Sequence, residues 1–163
     1  MTVVGAVDCG TNSIRLLVAK PGPDGRLVDL HREMRVVRLG YGVDATGMFA
    51  AESIERTRVA LSDYVDTMEA LGVERVRMVA TSATRDASNR DEFFAMTARQ
   101  LGRVMPGAVA EVISGQTEAE LTFAGGVSDL RPLLDENGAP LTADGHNGSA
   151  AAFQVTLDAG GQD

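Results

Sequence analysis

Apolar positions change their spacing several times along the chain, and each change predicts an element. Residues 2–8 are a short Val-rich run that reads as a buried strand, followed by the polar turn Asp8-Cys9-Gly10-Thr11-Asn12-Ser13. Residues 14–20 return as a second strand, and Pro21-Gly22-Pro23-Asp24-Gly25 is a strong turn signal. Residues 26–38, with Leu27, Val28, Leu30, Met34, Val36 and Val37, fit a third strand. Helical spacing then takes over. Ile54, Leu61, Val65, Met68 and Leu71 fall near one face of a helix over about 51–71, stopped by Gly72. Residues 75–80 form a buried strand that ends at Thr81-Ser82-Ala83-Thr84-Arg85. Asn89 is placed to cap a helix over about 90–101, with Phe94, Ala98 and Leu101 inward and Gly102 at its end. Residues 108–113 read as another strand, and Ser114 as the cap of a helix over about 116–127.

The order βββ-α-β-α-β-α predicts an α/β fold with a mixed five-stranded sheet, its later strands parallel and joined by helical crossovers. Residues 129–150 hold Pro, Gly, Asp and Asn with little apolar pattern and read as a linker. Residues 152–158 look like one more strand, ending in Asp158-Ala159-Gly160-Gly161. That ending echoes Asp8-Cys9-Gly10, since both place Asp-x-Gly after an apolar run. The domains expected are therefore a lobe over 1–128, a linker over 129–150, and the start of a truncated second lobe over 151–163.

Composition narrows the function. At 163 residues and 44% hydrophobic, the chain can bury a real core. A single cysteine excludes a disulfide framework, and two histidines speak against a histidine-rich metal centre. A net charge of −8 argues against a general nucleic-acid binder or an anionic-membrane binder. It leaves room for one local anion pocket. No apolar run reaches the ~20 residues of a membrane span, and the N-terminus lacks a basic leader pattern, so a cytoplasmic protein is expected.

Three turns carry candidate chemistry. In the first, Gly10 permits close backbone approach, and Thr11, Asn12 and Ser13 add side-chain donors to backbone amides; such a turn can wrap phosphate oxygens. Asp8 is placed to hold a metal directly or through water. Ordinary hairpin chemistry explains the same residue types. Cys9 alternates with these groups and reads as packing. In the second turn, Thr81, Ser82 and Arg85 suit phosphate, and a helix cap with a solvated arginine fits equally well. In the third, Gly115 opens backbone access, and Glu118 falls in a first helical turn, where a carboxylate is also favoured by the helix dipole. Turns at the carboxyl ends of neighbouring strands converge on one crevice, which favours function for all three. Glu118 would then deprotonate an attacking water, with Arg85, loop amides and a divalent ion neutralising the phosphoryl charge.

The same blocks resemble a known family. Val-Asp-Cys-Gly-Thr-Asn-Ser-Ile-Arg-Leu-Leu-Val at 7–18 is similar to the first phosphate loop of the exopolyphosphatase/guanosine-pentaphosphate phosphatase (Ppx/GppA) family. Arg38-Leu39-Gly40-Tyr41-Gly42 resembles its Arg-Leu-Gly-x-Gly segment, with Tyr where an acidic residue is common. The stretches from Ala80 to Phe93 and from Glu111 to Leu121 resemble its second block and its catalytic-glutamate block. The resemblance covers about 2–127 and implies an actin-like ATPase (ASKHA, ribonuclease H-like) lobe. It further implies release of terminal phosphate from inorganic polyphosphate or guanosine pentaphosphate (pppGpp), usually with Mg²⁺, and leaves a homodimer of the full-length protein open. Carried over, Glu118 matches the catalytic base, Arg85 the phosphate-binding arginine, and Asp8, Gly10, Thr11, Asn12 and Ser13 the first loop. The family's next motif, Asp-Ile-Gly-Gly-Gly-Ser-Thr-Glu, is met only by the short Asp158-Ala159-Gly160-Gly161. The alternatives are a non-catalytic phosphate- or nucleotide-binding module and, more distantly, a sugar-kinase-like relative.

Overall fold

The computed structural model describes residues 2–23 and 26–121. Three strands come first: β1 (Val3–Cys9), β2 (Ser13–Pro21) and β3 (Leu27–Val36). Next are the single-turn α1 (Val43–Thr46), the long α2 (Ala51–Ala70) and β4 (Val73–Ala80). The short α3 (Ser82–Asp86), α4 (Arg90–Leu101) and β5 (Glu111–Val112) follow. Residues 115–121 are helical. The linker expected over 129–150 and the strand over 152–158 lie outside the described residues.

The sheet runs β3-β2-β1-β4-β5. β1 pairs antiparallel with β2, and β2 with β3, because only a few residues separate each strand from the next. β1 pairs parallel with β4, and β4 with β5, because α2 and α4 carry the chain back before each strand. The sheet is thus mixed, as its pattern predicts. Its centre is buried on both faces: Val7 and Leu16 face one side, Ala6 and Leu17 the other, and all four are 0% exposed. On the first side they meet a core that includes Leu61, Tyr64, Met68, Phe93 and Met96 from the helices.

Specific partners elsewhere in the chain account for the main departures from expectation. Asn89 occupies the N-cap position of α4 but makes no cap hydrogen bond. Its side-chain amide instead accepts from the Phe49 amide at 2.8 Å and donates to the Phe49 carbonyl at 3.1 Å. This clamp draws Phe49 against Phe93, with ring centroids 5.7 Å apart. The buried face of α4 is accordingly Phe93, Met96, Thr97 and Leu101, one residue out of step with the expected Phe94 and Ala98. Phe94 is half-buried and Ala98 exposed. β5 is only two residues long rather than spanning 108–113. Gly107 turns the backbone at φ +86°, and the Ala110 amide donates to the Thr97 hydroxyl, so no ladder forms before Glu111. The strand over 26–38 stops at Val36, where the next amides turn to another acceptor. Among the described residues, no helix is long and apolar enough to cross a membrane.

Candidate functional site

β1 and β4 lie side by side and point the same way, so their carboxyl ends release the chain at one edge of the sheet. Such an edge is where open α/β sheets bind ligands. The last rung of the ladder is the Thr81 amide donating to the Cys9 carbonyl at 3.2 Å. Beyond it the strands part, one into the turn at Gly10, Thr11 and Asn12, the other into α3. Their side chains meet again: the Thr11 and Ser82 hydroxyls share a hydrogen bond of 3.0 Å, and either can donate. The first two turns read from sequence are therefore one structure.

The first turn is a hairpin closed by the Gly10 amide on the Ser13 carbonyl at 2.9 Å. The hairpin reading and the phosphate reading are compatible in it. Its carbonyls are occupied: Thr11 accepts from the Gly40 amide at 2.9 Å, and Asn12 accepts from Val37 and Arg38 at 2.9 and 2.8 Å. The Thr11 and Asn12 amides have no acceptor among the described residues. The turn thus keeps two amide donors unspent while its acceptors are taken, the polarity an anion needs. Gly10 does not have positive φ, and a Cβ there would make only ordinary contacts, 3.6 Å from the Ser13 oxygen. Nothing within the fold demands glycine at this position.

Residues 37–40 form a third wall that sequence reading assigned no role. A Cβ on Gly40 would fall 2.4 Å from the Thr11 Cγ2 and 3.1 Å from the Ala83 Cβ. Only glycine lets this backbone lie against both turns. The signal was present in Arg38-Leu39-Gly40, but the partners of that glycine are remote in sequence.

Asp8 is half-buried and faces the side of the sheet away from Cys9. It lies opposite Arg15 of β2, a second residue the sequence did not single out. Opposite charges in a direct cross-strand pair support one another. Cys9 is packed into the core, and burial first, then the Asp8 charge, pushes its thiol well above the usual range. It is an inert packing residue, as its alternation suggested. Thr81 and Thr84 are buried, and Ser82 is exposed. Arg85 is half-buried, and its Nη1 donates to the Ile113 carbonyl at 2.5 Å, tying the second turn to the end of β5. Gly115 and Glu118 belong to a separate compact unit that begins at Gly115. Both are exposed within the helical residues 115–121, and Gln116 donates to Glu120 there at 2.9 Å. Among the described residues, no group of three or more His, Cys, Asp or Glu could hold a metal ion by itself.

Comparison with known proteins decides the lineage. The profile of the Ppx/GppA phosphatase family matches residues 17–144. The chain belongs to the Ppx/GppA phosphatase family. Exopolyphosphatase 2 of Mycobacterium tuberculosis (strain ATCC 25618 / H37Rv) is 54% identical over 164 residues, covering 99% of this chain and 46% of that protein. The crystal structure of the type II variant of the Aquifex aeolicus Ppx/GppA phosphatase aligns with a TM-score of 0.70 at 32% identity, covering 81% of this chain and 42% of that one. An exopolyphosphatase from Cytophaga hutchinsonii aligns at 0.68 with 30% identity, covering 82% and 41%. The chain spans about half the length of these Ppx/GppA relatives. Its sheet is the actin-like ATPase-type α/β architecture of that family.

Proposed function

We propose that the full-length gene product is a phosphoanhydride hydrolase that releases terminal phosphate from inorganic polyphosphate or from pppGpp. The carrying observation is the Thr11–Ser82 hydrogen bond at the shared end of two parallel strands, in a chain of the Ppx/GppA family. In this reading the unspent amides of Thr11 and Asn12, with Gly10, Ser13 and the Thr81 and Ser82 hydroxyl groups, grip the terminal phosphate. Gly10 leaves the anion room to approach the backbone, which explains a glycine the fold itself does not require. Gly115 does the same for the third turn.

Glu118 takes a proton from water as its oxygen attacks the terminal phosphorus. The bridging P–O bond breaks, orthophosphate leaves, and the shortened chain keeps the bridging oxygen with its charge. Arg85 and the loop amides offset the negative charge that spreads over the phosphoryl oxygens. General-base help of this kind is worth ~10²–10⁴-fold in rate. The resemblance of the Glu111–Leu121 block supports Glu118 in this role. A divalent cation, Mg²⁺ or another, fits at Asp8 only as an ion shared with the substrate. One carboxylate with phosphate oxygens and water is a usual Mg²⁺ environment, and no group of three or more His, Cys, Asp or Glu among the described residues competes with it. When bound, the ion supplies charge neutralisation.

The test is phosphate release from polyphosphate and from pppGpp, with and without Mg²⁺, by the full-length gene product and by these 163 residues alone. Glu118→Gln should lower turnover by ~10²-fold or more with the fold kept. Turnover near wild type in that variant removes Glu118 as the base. Saturable polyphosphate binding without turnover in the full-length product would favour the alternative of a binding module.

A further inference from the structure

β3 ends at Val36, and the chain then bends through Val37, Arg38, Leu39 and Gly40. Arg38 holds φ at +51°, the one non-glycine residue in the left-handed region among those described. A side chain with a Cβ resists that conformation. The hydrogen bond from the Arg38 amide to the Asn12 carbonyl holds it there. The bend buries Leu39 fully and turns Arg38 out to solvent.

Arg38 stands at the rim of a cavity of about 500 Å³ that it shares with Tyr41, Glu52, Ser53 and Arg56. That volume is in the range of small-molecule sites. Arg56 is fixed in place: its Nε donates to the Val37 carbonyl and its Nη2 to the Ser53 hydroxyl, both at 2.9 Å. Elsewhere arginines are matched to acids, as Arg32 is to Asp29, Arg58 to Glu55, and Arg103 to Asp66 and Glu69. Neither Arg38 nor Arg56 forms an ion pair among the described residues, although Glu52 lines the same cavity. Two guanidiniums against one carboxylate leave a local positive excess in a chain of net charge −8. Planar guanidinium donors match phosphate oxygens. Arg38 links the two places: it lines the cavity, and its amide donates to the Asn12 carbonyl of the first turn at 2.8 Å.

We propose that Arg38 and Arg56 form a second anion subsite that holds phosphoryl groups of a linear polyphosphate further along than the one gripped at Thr11 and Asn12. The subsite rests on the hydrolase reading above and assigns chain-length preference to this cavity. Arg56 is the preset half, and Arg38, on the solvent side, closes on the incoming chain.

Steady-state phosphate release by the full-length gene product, with tripolyphosphate and with long-chain polyphosphate, tests it. Arg38→Asn removes the charge while keeping a residue that tolerates left-handed backbone. It should raise the KM for long-chain polyphosphate, relative to that for tripolyphosphate, by about tenfold, the loss of one charge-assisted contact. Arg38→Lys should recover part of the ratio, and Glu52→Gln should lower the KM for the long chain. An unchanged ratio, or an equal rise for both substrates, overturns the subsite. If the wild-type protein releases phosphate from neither substrate, the hydrolase reading fails. Calorimetric titration with long-chain polyphosphate then judges the cavity separately: tenfold weaker binding by Arg38→Asn upholds it, and undiminished binding overturns it.

Discussion

The Thr11 and Ser82 hydroxyls, 71 residues apart in sequence, stand 3.0 Å from each other. Gly40 lies against the same threonine, where a Cβ would come within 2.4 Å of its methyl group. Gly40→Ala should therefore destabilise the fold by about 1–3 kcal/mol, the usual range for overpacking. Thr11→Ser deletes the methyl and keeps the hydroxyl. In a urea-denaturation double-mutant cycle, Thr11→Ser should recover part of that loss in the Gly40→Ala background. Additive effects would show that the clash is relieved elsewhere.

Asn89 offers a sharp choice between two chemistries. As a helix cap, Asp serves about as well as Asn. As the clamp seen on Phe49, Asp can still accept from the amide but cannot donate to the carbonyl. Asn89→Asp should then cost about 1 kcal/mol or more, and Asn89→Ala more again. Thermal unfolding in which Asp matches wild type would restore the capping role.

Alkaline pH should weaken the fold through Cys9 and Tyr64. Burial is the main cause raising both groups, and Tyr64 also donates its hydroxyl to the buried Ile14 carbonyl at 2.9 Å. Both are neutral in the fold and ionise sooner in the unfolded chain. Their stabilising effect is whole below the unfolded values of about 8.5 for Cys and about 10 for Tyr. It is lost as pH rises above those values, at up to ~1.4 kcal/mol per pH unit for each group. Urea midpoints measured from pH 7 to pH 11 should fall in two stages. Cys9→Ala should abolish the first stage and keep the second; an identical fall in both proteins contradicts this.

Arg85 is expected to hold the end of β5 as well as to serve the proposed anion site. Its Nη1 donates to the Ile113 carbonyl, and the Ile113 amide in turn donates to Ala80 at 3.1 Å. Lysine carries the charge without the planar fork. Arg85→Lys should speed hydrogen exchange at the Ile113 amide about tenfold, the release of roughly one hydrogen bond. Unchanged exchange would confine Arg85 to ligand contacts.

Period and turn chemistry made most of the sheet legible. β1, β2 and α2 fall within a residue or two of where their apolar positions place them, because burial on a sheet or helix face imposes its repeat on the sequence. The misplaced features are those set by distant partners. Phe49 decides which side of α4 faces inward, and Thr97 draws Ala110 away from the ladder. α1 and α3, at four and five residues, are too short to show a period. The first two turns were legible as polar, glycine-bearing breaks after strands. The wall at Gly40 was visible only as a glycine, because the side chains it lies against, Thr11 and Ala83, are remote in sequence.

Pairing β1 with β4 also sets the order in which the molecule can be built. The β1–β3 meander closes from neighbouring residues, whereas the second turn emerges from the ribosome only after the whole of α2 and β4. A nascent chain halted within α2 carries Thr11 but has nothing for it to meet. Completing the crossover lays Ser82 beside it, so the joining of the two turns is a late product of folding, slowed by its sequence separation.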